Sequence, residues 1–108
     1  MKNLNYDVIN DLNESSLSVI LDGTFTCVHA REFQKFILPL ASSWDLYMDL
    51  KGVDKMDITG INILVGIHET ARKANRSIKL NISTQSNVHR LMELTQMDRR
   101  LNISKVTV

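Results

Sequence analysis

Little in this sequence could cross-link it. Cys27 is the one cysteine in 108 residues, so neither an intramolecular disulfide nor a multi-cysteine zinc site can form, and a reducing cytoplasm suits the chain. Cys27 itself reads as a small buried hydrophobe. No charge of one sign dominates either: 13 Lys or Arg stand against 12 Asp or Glu, a formal charge of +1. That balance gives no broad field to draw the chain onto nucleic acid or an anionic membrane. The basic clusters Arg72, Lys73 and Arg76, and Arg99 with Arg100, have no interleaved aromatics on which bases could stack. They read as solvated helix ends, favoured by the macrodipole. No apolar run approaches the roughly 20 residues a membrane span needs, and the N-terminal stretch Met1 to Asp11 carries acids and amides where a signal peptide requires an apolar core. No direct membrane insertion is expected.

Chemistry is equally sparse. The glycines at 23, 52, 60 and 66 are scattered, with neither a Walker nor a dinucleotide pattern among them. His29, His68 and His89 fall on three different predicted helices without an acidic or histidine partner at metal spacing. There is no nucleophile elbow, and Cys27 and His29, two apart on a helix, do not face each other. No catalysis, metal or cofactor is therefore expected.

What is present is one domain, residues 1–108, without linker, repeat or low-complexity stretch. With 44% hydrophobic residues it can bury roughly two-thirds of its unfolded surface. Leu17, Val19 and Leu21 alternate with Ser16, Ser18, Ile20 and Asp22 as in a strand. Asn13-Glu14-Ser15 reads as the turn of a hairpin whose first strand lies around Tyr6 to Asp11. Thr26 can cap a helix with apolar positions Phe33, Phe36, Ile37 and Leu40, which Pro39 should end or bend. Leu46 to Leu50 is a short strand ending in Lys51-Gly52. A second helix opens at Gly60 with Ile61, Leu64, Val65, Ile67, His68, Ala71 and Ala74. Ser77 to Ile82 is a strand, Thr84 or Ser86 caps a helix bearing Val88, Leu91, Met92 and Thr95, and Leu101, Ile103 and Val106 form a last strand. The order β-β-α-β-α-β-α-β predicts an α/β sandwich: a mixed, mostly parallel sheet of about five strands with helices packed on it, and Leu64, Leu80, Ile82 and Leu91 facing the interior.

The informative segment is Met48 to Ile61, in which a strand runs into the loop Lys55, Met56, Asp57, Ile58, Thr59, Gly60. Asp57 stands at a helix start, and Thr59 and Gly60 let the backbone turn. One reading is helix capping alone. The other is that a hydroxyl at a helix N-terminus is well placed to carry phosphate. Spacing does not choose between them.

These residues, with Gly23-Thr24-Phe25-Thr26 before them and Val88 to Asp98 after them, resemble the STAS domain, in particular bacterial anti-sigma factor antagonists, from about Leu17 to Ile103. The resemblance implies a non-enzymatic protein-binding module in transcription regulation by partner switching. Its partner would be an anti-sigma factor that is also a serine kinase of GHKL type, with a PP2C-type phosphatase resetting the cycle. The alternative is a STAS subunit that binds a non-kinase partner, such as a transporter ATPase or a stress-sensing complex. In the family the phosphorylated Ser or Thr directly follows the loop Asp. Here Asp57, Thr59 and Gly60 match, but Ile58 holds the acceptor position and cannot take phosphate. Thr59 is the one hydroxyl left in the loop as a phosphorylation candidate, and its expected task is to hydrogen-bond backbone amides at the helix start. Asn62 and Gln96 stand where the family often has glycine, and the final helix that many relatives carry is not expected within these 108 residues.

Overall fold

The computed structural model describes residues 4–11, 15–84 and 86–106, the side chains of Asp11, Asp98 and Val106 apart. Its elements are β1 (Leu4–Asp11), β2 (Ser16–Phe25), α1 (Cys27–Ala41), β3 (Asp45–Met56), α2 (Ile58–Lys73), β4 (Ile78–Ser83), α3 (Asn87–Thr95), a short 3₁₀ turn (Met97–Arg99) and β5 (Ile103–Val106). Asn13 and Glu14 of the expected hairpin turn lie outside the described residues. The sheet runs in the order β1-β2-β3-β4-β5, with β1 antiparallel to β2 and the remaining pairs parallel. Each crossover steps one strand further in the same direction, and right-handed crossovers of that kind put every helix on one face.

The register shows the same two-sided logic. Leu17, Leu46 and Ile78 pair in one row and Val19, Met48, Leu80 and Ile103 in another, and all but half-buried Ile103 are buried under the helices. Between those rows Ser18, Tyr47 and Lys79 pair on the opposite, open face and stay exposed. Phe33, Ile37, Ile61, Leu64, Ile67, Val88 and Met92 close the core from the helix side. Burying each such side chain stabilises the fold by about 1.5–3 kcal/mol. Leu64, Leu80 and Ile82 are buried as the spacing predicts, while Leu91 is only half-buried. Phe33 sits edge-on to Phe25 at 5.7 Å and to Tyr6 at 5.0 Å. Phe36, one of the positions expected to face the core, is instead exposed and leans on Tyr6 at 5.1 Å, and Leu40 is half-buried.

Four local expectations are corrected. β3 does not end at Lys51-Gly52 but runs to Met56, because two register shifts against β2 absorb extra residues and break the period-2 signal. Gly52 lies at the first of these, where a Cβ would come within 3.0 Å of the Leu21 carbonyl. Pro39 is tolerated inside α1, which stops two residues later at Ala41. Thr26 occupies the N-cap position of α1, but its side chain makes no capping bond. Finally, α2 begins at Ile58 and not at Gly60.

Ser86, one of the two candidate caps, begins α3: its Oγ accepts from the His89 N–H at 3.2 Å and donates to the Ser83 carbonyl at 2.7 Å. The helix ends on Gln96 in the left-handed region, φ 59° and ψ 19°. A glycine adopts that conformation without steric cost, so the glycine that the resemblance expects at this position has a physical reason.

Candidate functional site

The segment Lys55 to Gly60 is a tight corner and not a loop. Lys55 and Met56 still pair with Thr24 and Phe25 of β2, and Ile58, Thr59 and Gly60 already form the first turn of α2. Asp57 alone makes the change of direction, in extended backbone at φ −119° and ψ −177°. Its Oδ1 accepts from the Gly60 N–H at 2.9 Å, and its carbonyl accepts from the Ile61 N–H at 3.1 Å. The carboxylate thus satisfies an amide that the helix leaves without an intrahelical partner, a capping bond worth about 1 kcal/mol.

The other oxygen, Oδ2, accepts from the Cys27 thiol at 3.2 Å. One carboxylate therefore holds the starts of both α1 and α2. This corrects the reading of Cys27 as a buried hydrophobe: the residue is exposed and stands at φ 38° in the sharp turn from β2 into α1. The hydrogen bond to Asp57, then the negative charge of Asp57, raise the thiol pKa above its ordinary value, with Arg31 opposing. Cys27 is held as a thiol, a donor and a poor nucleophile.

Gly60 has a reason that its sequence context does not show. Its φ is not positive, so no turn requires it. Instead a Cβ there would lie 2.5 Å from the Phe25 carbonyl oxygen, 2.9 Å from the Phe25 ring and 3.0 Å from Met56 Cγ. Only glycine lets α2 start this close to the end of β2.

Thr59 departs from its expected task. Asp57 caps the helix, and the Thr59 hydroxyl has no hydrogen bond to any described residue. The residue lines a groove of about 310 Å³ between α1 and α2, with Arg31, Gln34, Asn62 and Ile63. Ile58 follows the cap directly and is 52% exposed. The corner thus presents an exposed apolar side chain at the helix start.

The three histidines lie on α1, α2 and α3, as the sequence predicts. His89, however, does have an acidic neighbour one turn on, with Nδ1 3.4 Å from Glu93 Oε1. The spacing of the two residues carried that signal. Among the described residues no three His, Cys, Asp or Glu side chains gather as metal ligands, and no described helix is long and apolar enough to cross a membrane. Arg72 lies in the last turn of α2 and its guanidinium pairs with Glu69 at 2.8 Å, and Arg100 lies 3.9 Å from the same carboxyl. The two basic clusters are thus linked through Glu69, whose pKa the Arg72 bond lowers.

The chain is similar to known proteins over nearly all of its length. The STAS domain profile matches residues 7–107. The anti-sigma-B factor antagonist of Bacillus subtilis strain 168 is 33% identical over 104 residues, spanning 94% of this chain and 92% of the relative. Among solved structures, an anti-sigma factor antagonist from Mycobacterium paratuberculosis superposes with a TM-score of 0.79 at 19% identity, over 94% of this chain and 85% of the other. The anti-sigma factor antagonist SpoIIAA in its unphosphorylated form superposes at 0.74 with 11% identity, over 95% and 89%. The two structural likenesses concern the fold.

Proposed function

Since this chain belongs to the STAS domain family, we propose that it is a cytoplasmic, single-domain anti-sigma factor antagonist that binds an anti-sigma factor through the corner Lys55 to Gly60 and lacks phosphate-driven release. The observation that carries this reading is Ile58, 52% exposed and directly after the Asp57 cap, where the resemblance expects the acceptor hydroxyl. A phosphate there would add about −1.5 to −2 charges to the binding face, and repulsion and desolvation would expel the partner. An isoleucine side chain has no oxygen to receive the phosphoryl group. A GHKL-type kinase partner therefore stays bound in the presence of ATP, and a PP2C-type phosphatase finds no substrate at this position. The protein acts as a constitutive antagonist.

The test uses recombinant anti-sigma-B factor from Bacillus subtilis, the partner that the relative's name supplies. Calorimetry should give the same affinity for the wild type with and without Mg-ATP, whereas Ile58→Ser should lose binding once ATP is added. Ile58 is exposed, so its replacement costs little stability, within about 0.5 kcal/mol. Loss of wild-type binding on adding ATP would overturn the missing switch. Mass spectrometry would then locate the phosphate, with Thr59 the first residue to examine.

A further inference from the structure

Helix α3 carries two stripes of opposite fate. Val88 and Met92 are fully buried in the core. Asn87, Arg90, Leu91 and Leu94, at spacing i, i+3, i+4 and i+7, form a second stripe, of which Asn87, Arg90 and Leu94 are exposed. Leu94 is 75% exposed, more than any other large exposed hydrophobic among the described residues, and Leu91 is half-buried. This stripe and the end of β3, Lys55 and Met56, line an open groove of about 320 Å³.

The charged residues that line the groove are of one sign. Its two charged lining residues are Lys55 and Arg90, and neither forms an ion pair with a described residue. The nearest acid on the helix, Glu93, is turned to His89. An apolar floor of Met56, Leu91 and Leu94 with a cation on either side of it is complementary to a segment that alternates apolar and acidic side chains. A helical ridge at the spacing of Leu91 and Leu94 meshes with the grooves of another helix.

We propose that this groove receives an acidic amphipathic helix of the partner protein, which inserts an apolar side chain among Met56, Leu91 and Leu94 and sets carboxylates against Lys55 and Arg90. The inference rests on the chain being a protein-binding module and extends its surface: Lys55 and Met56 belong both to the Asp57 corner and to the groove, so one partner spans the two. The corner then carries the site where a switch would act, and α3 carries affinity and partner choice.

The groove is tested apart from any natural partner. A synthetic helical peptide of Leu, Ala and Glu is titrated into isotope-labelled protein, beside the same peptide with every Glu replaced by Lys. Saturable amide shifts should centre on Lys55, Met56, Arg90, Leu91 and Leu94 for the acidic peptide alone, and the double variant Lys55→Glu, Arg90→Glu should weaken binding about tenfold. Equal shifts with both peptides, or none at these residues, would overturn the proposal. So would self-association of the free protein that Leu94→Gln abolishes, because the occupant would then be a second copy. In a second arm, Leu94→Gln should weaken binding to the anti-sigma-B factor about tenfold. Unchanged binding would remove the groove and leave the proposed function standing. If the wild type itself does not bind, the proposed function falls and the peptide arm alone decides the groove.

Discussion

Two glycines of α2 make opposite forecasts for the same substitution. Gly66 lies mid-helix, and a Cβ there would meet only Gln34 Nε2 at 3.7 Å, an ordinary contact. Replacing it with alanine should stabilise the protein by about 0.5–1 kcal/mol, the helix cost of glycine. Gly60→Ala carries the same intrinsic gain, but the new methyl lies 2.5 Å from the Phe25 carbonyl oxygen and 2.9 Å from its ring. The oxygen is backbone, held in β2 where Phe25 pairs with Met56, so it cannot swing aside. Overpacking of this kind costs about 1–3 kcal/mol, and a backbone clash belongs at the upper end. The net is a loss of about 1–2 kcal/mol. For a domain of this size each kcal/mol moves Tm by roughly 4–8 °C, so the two variants should separate by more than 6 °C, one above and one below the wild type. Thermal unfolding followed by circular dichroism measures both. If Gly60→Ala were as stable as Gly66→Ala, the close approach of α2 to β2 would be wrong, and with it the reason for a glycine at the corner.

Gln96→Gly should raise stability by under about 1 kcal/mol: it removes a left-handed penalty of about 1–2 kcal/mol at the α3 C-cap, less the added freedom of glycine in the unfolded chain. A lowered Tm would show that the Gln96 side chain contributes more than its backbone costs. Cys27 should react more slowly with a disulfide reagent near pH 8 than a free thiol does, and Asp57→Asn should speed it, since the Asp57 bond is the first cause of the raised pKa. Because that pKa is raised in the folded state, the thiol's contribution to stability is complete below the ordinary thiol pKa and is lost as pH climbs through the folded value. Equal reaction rates in wild type and Asp57→Asn would refute the contact.

The regular parts of the fold were legible because each has one buried face. Leu17, Val19 and Leu21, and Ile78, Leu80 and Ile82, keep a strict period of two, and helix spacing finds Ile61, Leu64, Ile67 and Ala71. What escaped depends on register. The end of β3 was hidden because its register shifts put Lys51 and Gly52 together on the exposed side and let Asp54 fall out of the pairing. Cys27 was misread because the sharp turn from Phe25 into α1, and not its chemical type, decides that its thiol points outward to Asp57. Gly60 was recognised as necessary for the wrong reason, since its neighbours Phe25 and Met56 come together only when β2 and β3 pair in this register.

The same dependence explains why the corner and the groove are one surface. In sequence Met56 and Leu91 are 35 residues apart, and neither is unusual. The extension of β3 past Gly52 carries Lys55 and Met56 along α3, so the strand that delivers Asp57 to the start of α2 also forms the wall of the groove. A β3 that ended at Gly52 would leave Leu94 facing solvent with nothing beside it. Exposing an apolar stripe on a short helix costs solubility, and natural surfaces keep such patches small unless a partner covers them. Here the groove shares Lys55 and Met56 with the corner that carries Ile58. Under the proposed function, a corner without a phosphate acceptor needs no release step, and an apolar groove lined by two cations suits a surface that stays covered.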